Sequence, residues 1–185
     1  MKKVILLTAI LALLCAGCTP YSEVVPETPQ DVLEIGMYVL TGGANPESMV
    51  VGADGTPSAL RAPTGLAAQI SSQLSYEVVS VTETGDTATA VMNITAPDAV
   101  NLMYTALESL ETYDEAAFTA EFEKLLTNAP ATKTFSVNVQ LQKLEGKWCM
   151  VMSDELSNAL TGGLMAEYNA VRQAILDKLM EGGEG

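Results

Sequence analysis

The sequence predicts an α+β fold, a curved antiparallel sheet of two hairpins packed on helices. Three observations carry that expectation. Apolar residues recur at helical spacing in residues 31–40, 98–126 and 164–179. Two other stretches, 74–95 and 132–153, alternate with a period of two, and a glycine-containing turn splits each of them. The alternation is apolar on one side and polar on the other, which is the mark of an antiparallel sheet with one buried and one wet face.

The elements follow in order. Residues 31–41 read as a first helix, with Val32, Ile35, Met37, Val39 and Leu40 on its apolar side, Asp31 and Glu34 near its positive end, and Gly42–Gly43 as its stop. Residues 42–65, rich in Gly, Pro and Asn, read as a loop with a helical turn or two, and a second helix is expected over about Pro63–Leu74. The first hairpin turns at Thr84–Gly85–Asp86, with Ala88, Ala90, Met92 and Ile94 sharing one face of its second arm. Asp98 is the expected N-cap of a long helical segment that breaks near 112–114 and ends by Pro130. The second hairpin alternates Phe135, Val137, Val139 and Leu141 with Ser136, Asn138, Gln140 and Gln142, and turns at Glu145–Gly146. A short helix capped by Ser153 or Asp154 stops at Gly162–Gly163. Leu164, Tyr168, Val171, Ile175 and Leu179 then mark an extra C-terminal amphipathic helix.

The first residues read as an address. Lys2 and Lys3 precede an apolar stretch of eleven residues, Val4–Leu14, too short to span a bilayer and suited to the core of a secretory signal peptide. Ala16-Gly17-Cys18 then resembles the bacterial lipobox, in which cleavage precedes a cysteine that carries diacylglycerol; the departure is Cys15, where leucine is usual. The resemblance implies a signal peptide over 1–17, lipidation of Cys18, and export to the outer face of the cytoplasmic membrane with the lipid bilayer as partner. Residues 18–30, with three prolines, read as an extended tether, 31–181 as a single α+β domain, and 182–185 as a disordered tail.

Composition narrows the chemistry. The chain has a net charge of −14 and no histidine. Without residues 1–17 it holds seven basic residues against 23 acidic, a charge of −16. Such a chain repels phosphate backbones, so no nucleic-acid partner is expected. The absence of histidine removes Ser–His–Asp triads, Cys–His dyads and histidine metal sites. Cys149 is the one thiol beyond Cys18, so no disulfide is expected within the domain, and it reads as a small core residue. No cofactor and no metal site is expected. Gly52–Gly55 lacks the repeated Asp or Asn of a calcium loop, and Asn93-Ile94-Thr95, a glycosylation pattern, lies within a strand.

A broader resemblance rests on Tyr76, Val78, the Thr84–Ala90 turn and strand, the Leu144–Trp148 turn, and Asn158–Gly163. Over residues 74–163 the chain resembles small lipoproteins of unknown function from Gram-positive bacteria, which are expected to adopt the nuclear-transport-factor-2-like, cystatin-like cone. That resemblance implies a sheet wrapped around helices, sometimes enclosing a cavity, in a family that includes ligand binders and enzymes alike.

Three functions are compatible. A non-catalytic module could hold an apolar small ligand in a cavity lined by Met92, Met103, Tyr104 and Phe118, residues that otherwise fill the core. An isomerase- or dehydratase-like enzyme would pair a buried carboxylate with a phenol; Glu77 and Asp114, with Tyr76, Tyr104 and Tyr113, are the residue types available, although Glu77 and Asp114 read as solvent-facing. A protein-interaction module, for example a homodimer, could use the uncharged sheet face of Ser136, Asn138, Gln140 and Gln142. The non-catalytic readings are preferred, because no constellation in the sequence commits the chain to catalysis.

Overall fold

The computed structural model describes residues 27–43, 49–52, 55–112, 114–128 and 130–181, with side chains described for all of these except Met49 and 174–181. The expected signal peptide, Cys18, the tether up to residue 26, Tyr113 and the tail 182–185 lie outside the described residues.

Thr28 opens helix α1 (Pro29–Leu40). Its hydroxyl accepts from the Asp31 amide at 3.2 Å, and the Asp31 carboxylate accepts from the Thr28 amide at 2.9 Å. Two otherwise orphaned donors are thereby satisfied by one reciprocal pair. Pro29 sits in the first turn, where its missing N–H costs nothing. The helix therefore starts two residues before the expected Asp31, and Pro29 and Gln30 belong to it rather than to a tether. Gly42, at φ +110°, ends the element as expected. α1 is buried on every side except the stripe of Gln30, Glu34 and Tyr38. Gly36 faces Met150: a Cβ there would come within 3.0 Å of the Met150 methyl, so its absence lets the helix lie close on the sheet.

The sheet is curved and has six strands, β1 (Met49–Val51), β2 (Pro57–Ala59), β3 (Ser75–Thr84), β4 (Thr87–Pro97), β5 (Thr132–Leu144) and β6 (Lys147–Val151), in the order β2-β1-β6-β5-β4-β3. β3 (Ser75–Thr84) and β4 (Thr87–Pro97) form the first hairpin; β5 (Thr132–Leu144) and β6 (Lys147–Val151) form the second. The second turn has Glu145 at φ +51° and Gly146 at φ +80°, two left-handed residues in a row, as a two-residue hairpin of matching twist requires. β4 and β5 pair over eleven residues, from Thr87↔Gln142 to Pro97↔Thr132, and hold the centre of the sheet. A bulge between Val78 and Ser80 bends β3.

The sheet is mixed, which corrects the expectation of a purely antiparallel one. β1 (Met49–Val51) pairs antiparallel with β2 (Pro57–Ala59) and parallel with β6, through Val50↔Met150 and Val51↔Val151. The segment expected to be loop and helical turns thus supplies two strands. Three residues contain too few alternations for a period of two to register. The second helix is shorter than expected: α2 runs over Gly65–Ser71.

The long helical segment breaks where expected, into α3 (Ala99–Glu108) and α4 (Glu115–Thr127), and Asp98 caps the first through a bond from the Asn101 amide. α5 (Asp154–Leu160) is capped by Ser153, and α6 (Leu164–Glu181) follows. The apolar side of α6 is not buried as its periodicity implied: Tyr168 and Val171 are more than half exposed, and Leu164 alone among the described apolar residues of that stripe packs inward. Among the described residues no helix is long and apolar enough to cross a membrane.

Two apolar cores result. The larger lies under the sheet, where Ala88, Ala90, Met92 and Ile94 of β4 and Val137, Val139 and Leu141 of β5 meet α1 and α5. Lys143 lies over the Trp148 ring, 4.6 Å from its centroid, and closes that core at the second hairpin. The smaller core joins α2, α3 and α4 around Ile70, Leu102, Phe122 and Leu126.

Candidate ligand crevice

Five chain segments meet where the two cores adjoin. Leu40 ends α1; Pro63 precedes α2, which contributes Ala67 and Ser71; Met152 follows β6; Ser157, Leu160 and Thr161 come from α5 and its cap; and Met165 comes from the first turn of α6. Together they line an open crevice of about 230 Å³. Six of these nine residues are apolar.

The hydroxyls do not change that character. Ser71, almost fully buried, donates to the Ala68 carbonyl at 3.2 Å, and Thr161 donates to the Ser157 carbonyl at 2.9 Å. Both protons are engaged with backbone, the Thr161 oxygen also accepts from the Met165 amide at 3.3 Å, and Ser157 is the third hydroxyl of the wall. No carboxylate or cation is among the lining residues. The crevice can therefore remove apolar surface from water and accept a hydrogen bond. Two methionines give the wall adaptable, polarizable side chains. Its volume lies below the roughly 300–1,000 Å³ of drug-sized sites, which limits it to a short chain, one ring or an apolar side chain.

The four residues considered as a cavity lining, or otherwise as core, are not brought together. Met92 is fully enclosed in the larger core. Met103 and Phe118 pack against the smaller one, with the Phe118 and Phe122 rings 6.1 Å apart. Tyr104 is 46% exposed, and its hydroxyl donates to Glu167 of α6. That carboxylate bond, with the Glu167 charge, raises the phenol pKa above its usual value. None of the four lines the crevice: Met92 belongs to the larger core, Met103 and Phe118 to the smaller one, and Tyr104 to the surface. No sequence signal pointed to the residues that do line it.

The groups considered for acid–base chemistry are also apart. Glu77 is exposed on the outer sheet face, opposite Asn93. Asp114 caps α4, accepting from the Ala117 amide at 2.8 Å. Tyr76 stands at the β3 edge, 39% exposed. Among the described residues no group of three or more acidic or cysteine side chains could hold a metal. Ser136, Asn138, Gln140 and Gln142 do share the outer face, in register with Asn93, Val91, Thr89 and Thr87, and the Thr89 hydroxyl lies 3.0 Å from the Gln140 amide oxygen.

Cys149 is buried, with 3% of its surface accessible, and burial pushes its thiol pKa up against a weaker opposing pull from Lys147. The folded pKa exceeds the unfolded one. Its contribution to stability is therefore complete below the ordinary thiol value, about 8.5, and is lost as pH rises through the raised one. Iodoacetamide is expected to label Cys149 far more slowly in the native chain than in urea, and Cys149→Ala to flatten the decline of the melting temperature above that pH. Native labelling at the unfolded rate would show the thiol to be accessible.

Comparison of the chain with known proteins returns no matching family model, no matching curated protein and no matching solved structure.

Proposed function

We propose that the chain is an extracytoplasmic lipoprotein, anchored through Cys18 to the outer face of the bacterial cytoplasmic membrane, that presents a non-catalytic binding domain. The crevice carries this reading: an open, apolar, uncharged concavity where a filled core would otherwise be expected. The nuclear-transport-factor-2-like cone belongs to the proposal as well. It is supported by a curved sheet whose concave side holds α1 and by crevice walls drawn from the helices around the open end. The occupant is a small apolar ligand or one apolar side chain of a partner.

The test uses p-xylene as the probe and the methyl groups of labelled methionines as reporters. Saturable shifts are expected at Met152 and Met165, and none at Met92, which lies in the closed core. Ala67→Trp should fill the crevice and weaken the probe at least about tenfold, as loss of a largely apolar contact area of this size would. Equal small shifts at all methionines, or none at saturation, would end the ligand reading.

A further inference from the structure

Ser157 gives the crevice a selectivity that its apolar walls lack. A serine or threonine in a helix can donate back to the carbonyl three or four residues earlier, which satisfies its proton locally. Thr41, Thr105, Thr119, Thr127 and Thr161 do so over four residues, at 2.8–2.9 Å. Ser71, Ser72 and Ser109 do so over three, at 2.7–3.2 Å. Among the described residues, Ser157 is the only serine or threonine within a helix or at its C-cap whose hydroxyl makes no hydrogen bond. Yet it lies inside α5 and is only partly exposed.

Its position makes that proton useful. Ser157, Leu160 and Thr161 are three and four residues apart, so they share the face of α5 that lines the crevice. Thr161 cannot serve a ligand in its place. Its proton goes to the Ser157 carbonyl, and its oxygen already takes the Met165 amide. The Ser71 proton is held by the Ala68 carbonyl. Ser157 therefore supplies the one uncommitted side-chain proton among the described lining residues. When the crevice fills, that hydroxyl loses water. A pure hydrocarbon leaves it unpaired, which costs binding energy, whereas an oxygen acceptor on the ligand replaces the lost bond.

Charge and size narrow the class further. The described lining contains no Lys, Arg, Asp or Glu, so an ionised group would enter an apolar wall without a counter-charge. Asp154 and Glu155, exposed in the preceding turn of α5, add repulsion against a carboxylate. A side chain from a partner protein would arrive with its own peptide groups, and among the lining side chains only Ser157 has a proton to meet them. A volume of about 230 Å³ admits one ring or a short chain. Resting on the reading of the crevice as a binding site, we infer that its ligand is a small uncharged molecule with a single oxygen acceptor, an alcohol, phenol, ketone or ether, whose oxygen accepts from the Ser157 hydroxyl.

The test compares p-xylene with p-cresol, which exchanges one methyl for a hydroxyl at nearly the same size. Both are titrated into the full-length chain and into Ser157→Ala, with the Met152 and Met165 methyl shifts as readout. Ser157→Ala is expected to weaken p-cresol about fivefold, the share of one neutral hydrogen bond, and to leave p-xylene unchanged or slightly tighter. The melting temperature should not fall, because the hydroxyl holds nothing in the free protein and alanine is the better helix former. p-Toluate, similar in shape but charged, should show no saturable binding below about 1 mM. If p-xylene binds and Ser157→Ala weakens both neutral probes alike, or neither, the inference is overturned while the crevice stands as a plain apolar site. p-Toluate binding as tightly as p-cresol would overturn it as well. So would N-acetyltyrosine methylamide binding more tightly than p-cresol, which would assign the crevice to a partner's side chain. Loss of saturable shifts for both neutral probes would end the binding reading itself, and this inference with it.

Discussion

Gly162→Ala is expected to destabilise the protein by roughly 3 kcal/mol, among the larger effects of a single methyl group. Gly162 lies between α5 and α6 at φ +61°. An alanine in that left-handed conformation costs about 1 kcal/mol by itself. The larger part comes from position: the added Cβ would sit 2.2 Å from the Pro97 carbonyl oxygen and 3.0 Å from the Ala99 Cβ. These are backbone and near-backbone atoms, so no side-chain rotation relieves the overlap. The contact is also a joint. The Gly162 carbonyl accepts from the Ala99 amide at 3.2 Å, which ties the α5–α6 turn to the start of α3. Gly85→Ala is the control, because Gly85 has nearly the same φ, +63°, with nothing within 4 Å of its Cβ position. Urea unfolding should show a midpoint lowered mainly for Gly162→Ala with the slope unchanged, and a melting temperature lower by roughly 2–4 °C per kcal/mol. Equal losses for the two variants would mean that strain alone, and not the close approach, governs the turn.

The parts of the fold that sequence revealed are those whose pattern repeats. β4 and β5 alternate over eleven or more residues, and their pairing put Ala88 opposite Leu141 and Ala90 opposite Val139 on the buried face. α1 was legible in its middle but not at its start. Pro29 suggested a tether, whereas a proline in the first turn after a Thr28–Asp31 capping box is a helix signal. β1 and β2 left no period to detect. The α6 stripe shows a different limit: Tyr168 and Val171 recur at helical spacing and still face solvent, because periodicity reports a shape and not a neighbour. The site was the least legible part. Met92 and Phe118 were readable either as cavity wall or as core filling and pack as core, while the crevice draws on five segments between Leu40 and Met165. No local spacing relates Pro63 to Met152; only the parallel pairing of β1 with β6 and the packing of the helices around it do so.

Cys18→Ala is expected to move the protein from the membrane fraction to the soluble one. A single acyl chain holds a protein only marginally, with a partition constant on the order of 10⁴ M⁻¹, and each further buried CH₂ adds about 0.8 kcal/mol, so a diacylglyceryl cysteine retains what one chain would release. Among the described residues no helix is long and apolar enough to span a bilayer, and a net charge of −14 repels anionic lipid surfaces. An uncut Val4–Leu14 stretch would also fall short, with eleven residues against the roughly 20 needed. Cys15→Ala separates the two cysteines, since cleavage before Cys18 would discard Cys15 and leave anchoring intact. Intact mass decides the matter independently of fractionation. The native chain should lack residues 1–17 and carry the added mass of its acyl groups, and Cys18→Ala should carry none. A membrane-bound Cys18→Ala protein of unmodified mass, or release by Cys15→Ala alone, would reject Cys18 as the anchor, while leaving the crevice to be judged by its own experiment.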